Sequence, residues 1–134
     1  MTAVQKLKVL IADDEPDAIA IVGRKVAEAG FEVVKASDGA EAWEMILSAR
    51  PDIIVLDLNM PHKDGFSILR DLKTSAALAG TWRPVIIVSA RHELDDMRQG
   101  MDLEADHYLT KPCSAEEIVN AVRLMAALIP LRNS

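Results

Sequence analysis

Cysteine is almost missing from this 134-residue chain: Cys113 stands alone. No intrachain disulfide can form, so a reducing, cytoplasmic setting is expected rather than a secreted disulfide scaffold. Positive charge is also in deficit. Fifteen Lys and Arg against twenty-one Asp and Glu leave a formal net charge of −6 and a pI near 5.0. That balance argues against the basic surface that tracks nucleic-acid phosphates, so any DNA contact would fall to another domain or chain. Long apolar runs are absent as well. No segment reaches the ~18 apolar residues of a membrane span, and the start, MTAVQKLKVLIADDEP, is too short in apolar residues for a signal peptide. Repeats and low-complexity stretches are lacking too. What remains, with 50% hydrophobic residues, is enough for one core, and a single domain over 1–134 is expected.

What is present is an alternation of short β-branched runs with longer amphipathic stretches, the pattern of βαβ units on a parallel sheet. Five runs read as strands: Lys8 to Ala12, Glu32 to Ala36, Ile53 to Asp57, Val85 to Ser89 and His107 to Thr110. The first, third and fourth (VLIA, IIVLD, VIIVS) are apolar throughout, as central strands covered on both faces must be. The second and fifth belong at the edges. Helices fill the gaps. Pro16 opens the first, with Ile19, Val22, Val26 and Ala29 on one face before Gly30. Asp38 with Glu41 resembles a capping box for the second, which carries Ala42, Met45, Ile46 and Ala49. Asp64 can cap a third with Phe66, Leu69 and Leu72 inward. A fourth is read around Leu94 to Leu103, a polar stretch that contains Gly100. Ser114 with Glu117 caps a fifth whose buried stripe is Ile118, Val122, Met125 and Ile129. The apolar ending AALIPLRNS hints at a dimer contact or the start of a linker.

The stretch IADDEP at 11 to 16 sets a physical problem, because Asp13, Asp14 and Glu15 follow directly on a buried strand. Like charges this close repel, and excluding water from them costs several kcal/mol per ion unless a partner compensates. Right-handed crossovers bring every strand's C-terminal end to one edge of the sheet, where open α/β sheets bind ligands. Asp57, Ser89 and Lys111 stand at that edge with the acids. Several carboxylates form a hard oxygen site suited to Mg²⁺. Zinc is disfavoured, since none of His62, His92 and His107 has a second soft donor at ligand spacing. Magnesium bound by one or two carboxylates leaves room for a phosphoryl group, with Lys111 as a point charge and Ser89 as a hydroxyl donor. Asp57 is then the nucleophile. Taken singly, each residue has a plainer reading. Asp13 and Asp14 are equally readable as helix N-caps, Asp57 as a strand-ending turn residue, Ser89 as a strand-end hydroxyl, Tyr108 as core and Lys111 as a solvated lysine.

Taken together, DDE at 13 to 15, LDLNMPHKDG at 56 to 65, VSA at 88 to 90 and YLTKP at 108 to 112 resemble the receiver domain of bacterial two-component response regulators. The resemblance runs from Leu7 to about Ala127. It implies a three-layer doubly wound α/β fold, with a five-stranded parallel sheet in flavodoxin-like order 2-1-3-4-5 and helices on both faces. It also implies a phosphorylation-dependent switch rather than a turnover enzyme. Asp57 would be the phosphoacceptor. Mg²⁺ would be held by Asp14, Asp13, Asp57 and the backbone carbonyl of Asn59. Lys111 would pair with Asp57, and Ser89 and Tyr108 would be the switch hydroxyl and switch aromatic. Lys111–Pro112 would be cis. The implied partners are a sensor histidine kinase or phosphotransfer domain and a downstream protein or output domain, with no direct nucleic-acid contact and no membrane.

The surface read by partners would be the fourth helix, fifth strand and fifth helix, including Arg91, His92, Arg98, His107, Tyr108 and Arg123, and a homodimer would form there. Kinase docking is expected on the first helix around Ala20, Ile21, Arg24 and Glu28. Three features depart from the family pattern: Glu104 where Gly is usual, Cys113 where a large apolar residue is usual, and a longer connection, TSAALAGTWR, at 74 to 83. Two other classes remain open. A pseudo-receiver would keep the fold without phosphorylation. A haloacid-dehalogenase-like phosphatase would want an acid at position 59, where Asn cannot donate and reclaim a proton.

Overall fold

The computed structural model describes residues 6–58, 60, 65–75, 78, 80–90 and 105–132. The strands are β1 (Lys8–Ala12), β2 (Glu32–Ala36), β3 (Ile53–Asp57), β4 (Val85–Ala90) and β5 (His107–Lys111). The helices are α1 (Pro16–Glu28), α2 (Gly39–Ala49), α3 (Gly65–Thr74) and α4 (Ala115–Arg132). The sheet runs β2-β1-β3-β4-β5 with every neighbouring pair parallel, the expected order. β4 and β5 each extend one residue beyond the apolar pattern, because the ladder pairs Ala90 with Lys111 past the end of the core. The fourth helix expected at 94 to 103 and the Asp64 cap lie outside the described residues.

Alternation along the strands sorts the core into two layers, since successive side chains point to opposite faces. Leu10, Ile54, Leu56 and Ile87 lie with Ala42 and Ile46 of α2 and Ile68 and Leu69 of α3. Val9, Ile11, Ile53, Val55, Ile86 and Val88 lie with Val22 and Val26 of α1 and Ile118, Val122 and Met125 of α4. Burial on both faces explains why Val9–Ala12 of β1, Ile53–Leu56 of β3 and Val85–Val88 of β4 are uninterrupted apolar runs. Leu69 and Leu72 of α3 pack inward as expected, joined by the fully buried Ile68, while the Phe66 side chain lies outside the described residues.

The helix ends follow local chemistry. Asp38 Oδ1 accepts from the Glu41 N–H at 2.8 Å, and Glu41 reaches back to the N–H of Ser37 at 3.2 Å. Ser114 Oγ accepts from the Glu117 N–H at 3.1 Å. Gly30, with φ 102, takes the left-handed conformation that lets the chain leave α1 for β2. Among the described residues no helix is long and apolar enough to cross a membrane.

Candidate functional site

Each strand delivers one element of the site. β1 ends at Ala12, so Asp13 and Asp14 emerge at the C-terminal edge, and the Asp13 N–H is anchored to the Ala36 carbonyl at 3.2 Å. β3 is the central strand and ends on Asp57, which the register sets beside Val88. β4 and β5 run one step further, with Ser89 opposite Thr110 and Ala90 opposite Lys111. Carboxylate oxygens of Asp13, Asp14 and Asp57 lie within 4.8 Å of one another, with Asp57 buried, Asp13 half-buried and Asp14 exposed. Lys111 Nζ donates to Asp57 Oδ2 at 3.1 Å. Ser89 is fully buried beside them.

The third carboxylate of this group is Asp57, not Glu15. Glu15 adopts an extended conformation as the N-cap of α1, with no side-chain cap hydrogen bond, and is exposed. Asp13 and Asp14 are therefore not the N-caps of α1. Asp13 Oδ1 instead accepts from the Glu15 N–H at 3.0 Å, which fixes its carboxylate at the turn. Three acids with oxygen donors only, one of them withdrawn from water, fit a small hard divalent cation such as Mg²⁺.

Burial alone would lower the Lys111 pKa. The hydrogen bond and charge of Asp57, helped by Asp13 and Glu15, outweigh it and hold the ammonium above the ordinary lysine value. A cation whose pKa is raised by folding adds stability below its unfolded pKa, and that stability is lost as pH rises through the folded pKa. The stability gap between wild type and Lys111→Met should therefore shrink above the ordinary lysine pKa, as followed by urea unfolding across alkaline pH. A gap independent of pH would show that the pair contributes no linkage.

Tyr108 stands on β5 opposite Ile87, half-buried against the α2 and α3 layer, and its hydroxyl accepts from the Ala105 N–H at 3.0 Å. The Lys111–Pro112 bond is cis. Cys113, read from the sequence as apolar filler, packs at the margin of the α1 and α4 layer. It also lines a cleft of about 430 Å³ beside Lys111, with Glu15, Ala18 and Pro112. Burial, then the Glu117 charge, raises its thiol pKa and keeps it protonated. Nothing local in the sequence signalled that position, because the cleft forms only when α1 packs beside the start of α4. His107 is half-buried and Arg123 exposed, whereas Asn59, His62, Arg91, His92, Arg98 and Glu104 lie outside the described residues.

Comparison with known proteins points to one family. The family model for the response regulator receiver domain matches residues 9–123. The transcriptional regulatory protein PrrA of Mycobacterium tuberculosis is 40% identical over 124 residues, covering 92% of this chain and 52% of the relative. The DNA-binding dual master transcriptional regulator RpaA of Synechocystis is 36% identical over 118 residues, covering 88% and 48%. The chain thus spans about half the length of the curated relatives it matches. Among solved structures, the receiver domain of the Francisella response regulator 1452 superposes with a TM-score of 0.77 at 35% identity, covering 90% of this chain and 96% of that one. The chemotaxis response regulator CheY4 of Vibrio cholerae gives 0.79 at 26% identity, covering 90% and 99%. With strand order, acidic edge and match over 9–123 in agreement, the chain belongs to the response regulator receiver domain family.

Proposed function

We propose that the chain is a phosphorylation-dependent switch in which Asp57 takes a phosphoryl group from a histidine kinase or phosphotransfer domain and signals to a downstream protein or output domain. The observation that carries this reading is the placing of Lys111 Nζ 3.1 Å from Asp57 Oδ2, at the edge where Asp13 and Asp14 also converge. An Asp57 carboxylate oxygen attacks phosphorus, an O–P bond forms, and the bond from phosphorus to the donor's imidazole nitrogen breaks. The leaving imidazole recovers a proton. Asp13, Asp14 and Asp57, with the Asn59 carbonyl, would hold Mg²⁺, which would supply positive charge to offset that of the phosphoryl oxygens. Lys111 follows the same oxygens as a point charge, and the buried Ser89 hydroxyl donates to them. The product adds about −1.5 to −2 charges at one spot. Drawing Ser89 toward that charge biases β4, and with it Tyr108 on the neighbouring strand.

Incubation with acetyl phosphate, with and without Mg²⁺, tests the proposal by intact mass. One covalent phosphoryl adduct that forms only with Mg²⁺ and decays slowly supports it. Rapid multiple turnover would indicate a phosphatase, and no adduct a pseudo-receiver.

Kinase docking is assigned to the exposed face of α1, where Ile21 is 49% exposed among the exposed Ala20, Arg24 and Glu28. Burying an isoleucine on docking contributes roughly 1.5–3 kcal/mol, so Ile21→Asp should slow transfer from the cognate kinase by about tenfold or more. Labelling by acetyl phosphate should be unchanged in that variant. Unaltered kinase transfer would remove Ile21 from the docking face.

A further inference from the structure

We propose, resting on the phosphorylation-dependent reading of Asp57, that Asp106 is a positioning residue for the switch: it holds the Ala105 N–H in place for the Tyr108 hydroxyl and so weights the chain toward its unphosphorylated arrangement. Three hydrogen bonds pin Asp106 at the approach to β5. Its N–H donates to the Val85 carbonyl at 3.0 Å, its Oδ2 accepts from the Val85 N–H at 2.8 Å, and its Oδ1 accepts from Trp82 Nε1 at 3.0 Å. The first two fasten it to the first residue of β4, and the third fastens it to the connection at 74 to 83, the stretch whose length departs from the family pattern.

One residue before Asp106, the Ala105 N–H donates to the Tyr108 hydroxyl at 3.0 Å. That bond exists only while the chain between the two keeps its turn, so pinning Asp106 fixes the place of the donor. The anchors lie on opposite faces of the sheet. Trp82 packs against the α1 and α4 layer, whereas Ala105 and Tyr108 pack against the α2 and α3 layer. Asp106 therefore joins the two layers at the start of β4, where Val85 stands opposite Ile54, and touches none of the reacting groups around Asp57, which stands opposite Val88 at the far end of that ladder. When the Tyr108 ring moves, the half-buried Ala105 N–H gives up its acceptor. A donor held in place makes that departure costly, whereas a loose donor can turn toward water. The Asp106 side chain is exposed, so water competes for its carboxylate and the bias amounts to about threefold in the population of the two arrangements.

Two variants open the clamp in different ways. Trp82→Phe removes the indole donor and keeps a ring in place, and Asp106→Asn leaves one of the two side-chain donors without an acceptor. Tyr108 is the one tyrosine of the chain, so tyrosine labelled with ¹³C at Cζ gives a single signal. In each variant that signal should move from its place in the unphosphorylated wild type toward the place it takes after treatment with acetyl phosphate and Mg²⁺. Each variant should also form the phosphoryl adduct about threefold faster, by intact mass. The deciding comparison is a double-mutant cycle: with Tyr108→Phe, which has no hydroxyl to hold, adding Trp82→Phe should leave the rate unchanged. A Cζ signal unmoved in both variants would overturn the proposal, as would an unchanged rate, or an equal gain in rate with and without the Tyr108 hydroxyl. If the wild type itself took up no phosphoryl group, the reading of Asp57 would fall and this role of Asp106 with it, whereas an adduct on the wild type with any of the other three results removes the role of Asp106 alone.

Discussion

Replacing Asp57 by asparagine should end covalent phosphoryl uptake completely, with no residual adduct after prolonged exposure to acetyl phosphate and Mg²⁺. The neutral amide lacks the anionic oxygen that forms the acyl phosphate, yet has nearly the volume of the carboxylate, so the packing around this 4% exposed side chain persists. Lys111 loses its partner at 3.1 Å but is 37% exposed, so water can replace part of the interaction. The same variant should respond less to metal. In wild type, free Mg²⁺ at ten times its Kd should raise the unfolding free energy by about 1.4 kcal/mol. With one of the three clustered carboxylates neutral, that increment should fall, as read by urea unfolding with and without Mg²⁺. An Asp57→Asn protein that still acquires a phosphoryl group would place the acceptor elsewhere.

Truncating Ile54 should have the largest effect on stability. Ile54 is fully buried on the central strand, paired by register with Leu10 on one side and Val85 on the other, and its N–H donates to the Pro84 carbonyl at 3.0 Å. Rigid strands on both sides leave little room for collapse around a cavity, so Ile54→Ala should cost about 2–5 kcal/mol. Against a typical total of about 5–15 kcal/mol, that is a large fraction. Urea denaturation should show the midpoint falling with the slope unchanged. A loss below about 1 kcal/mol would mean that this layer relaxes freely and is not the packed scaffold that sets Asp57 at the sheet edge.

The strands were legible because double-sided burial writes itself as uninterrupted apolar runs, and chain direction then places Asp57, Ser89 and Lys111 at one edge. Caps at Asp38 and Ser114 were legible because their chemistry is contained within four residues. What escaped depends on chain geometry. The grouping of Asp57 with Asp13 and Asp14 was expected and is found, but neighbouring positions could not tell that the backbone turns at Glu15 to start α1 and leaves that side chain exposed. In α3, Leu69 and Leu72 pack inward as the pattern implied, and the residue it did not mark is Ile68, whose full burial comes from packing against the sheet. The hydrogen bonds that Asp106 accepts from Trp82 and the Val85 N–H, and the one Arg83 donates to the Pro51 carbonyl, join segments far apart in the chain, so no local pattern announces them.

The most direct measurement is reductive trapping. Protein phosphorylated with acetyl phosphate and Mg²⁺ is treated with tritiated borohydride, which reduces an aspartyl phosphate to homoserine, and the labelled peptide is sequenced. Radioactive homoserine at position 57, and none when Mg²⁺ is chelated before phosphorylation, is the expected result. Label at Asp13, at Asp14 or at no residue would contradict the assignment of Asp57 as the phosphoryl acceptor.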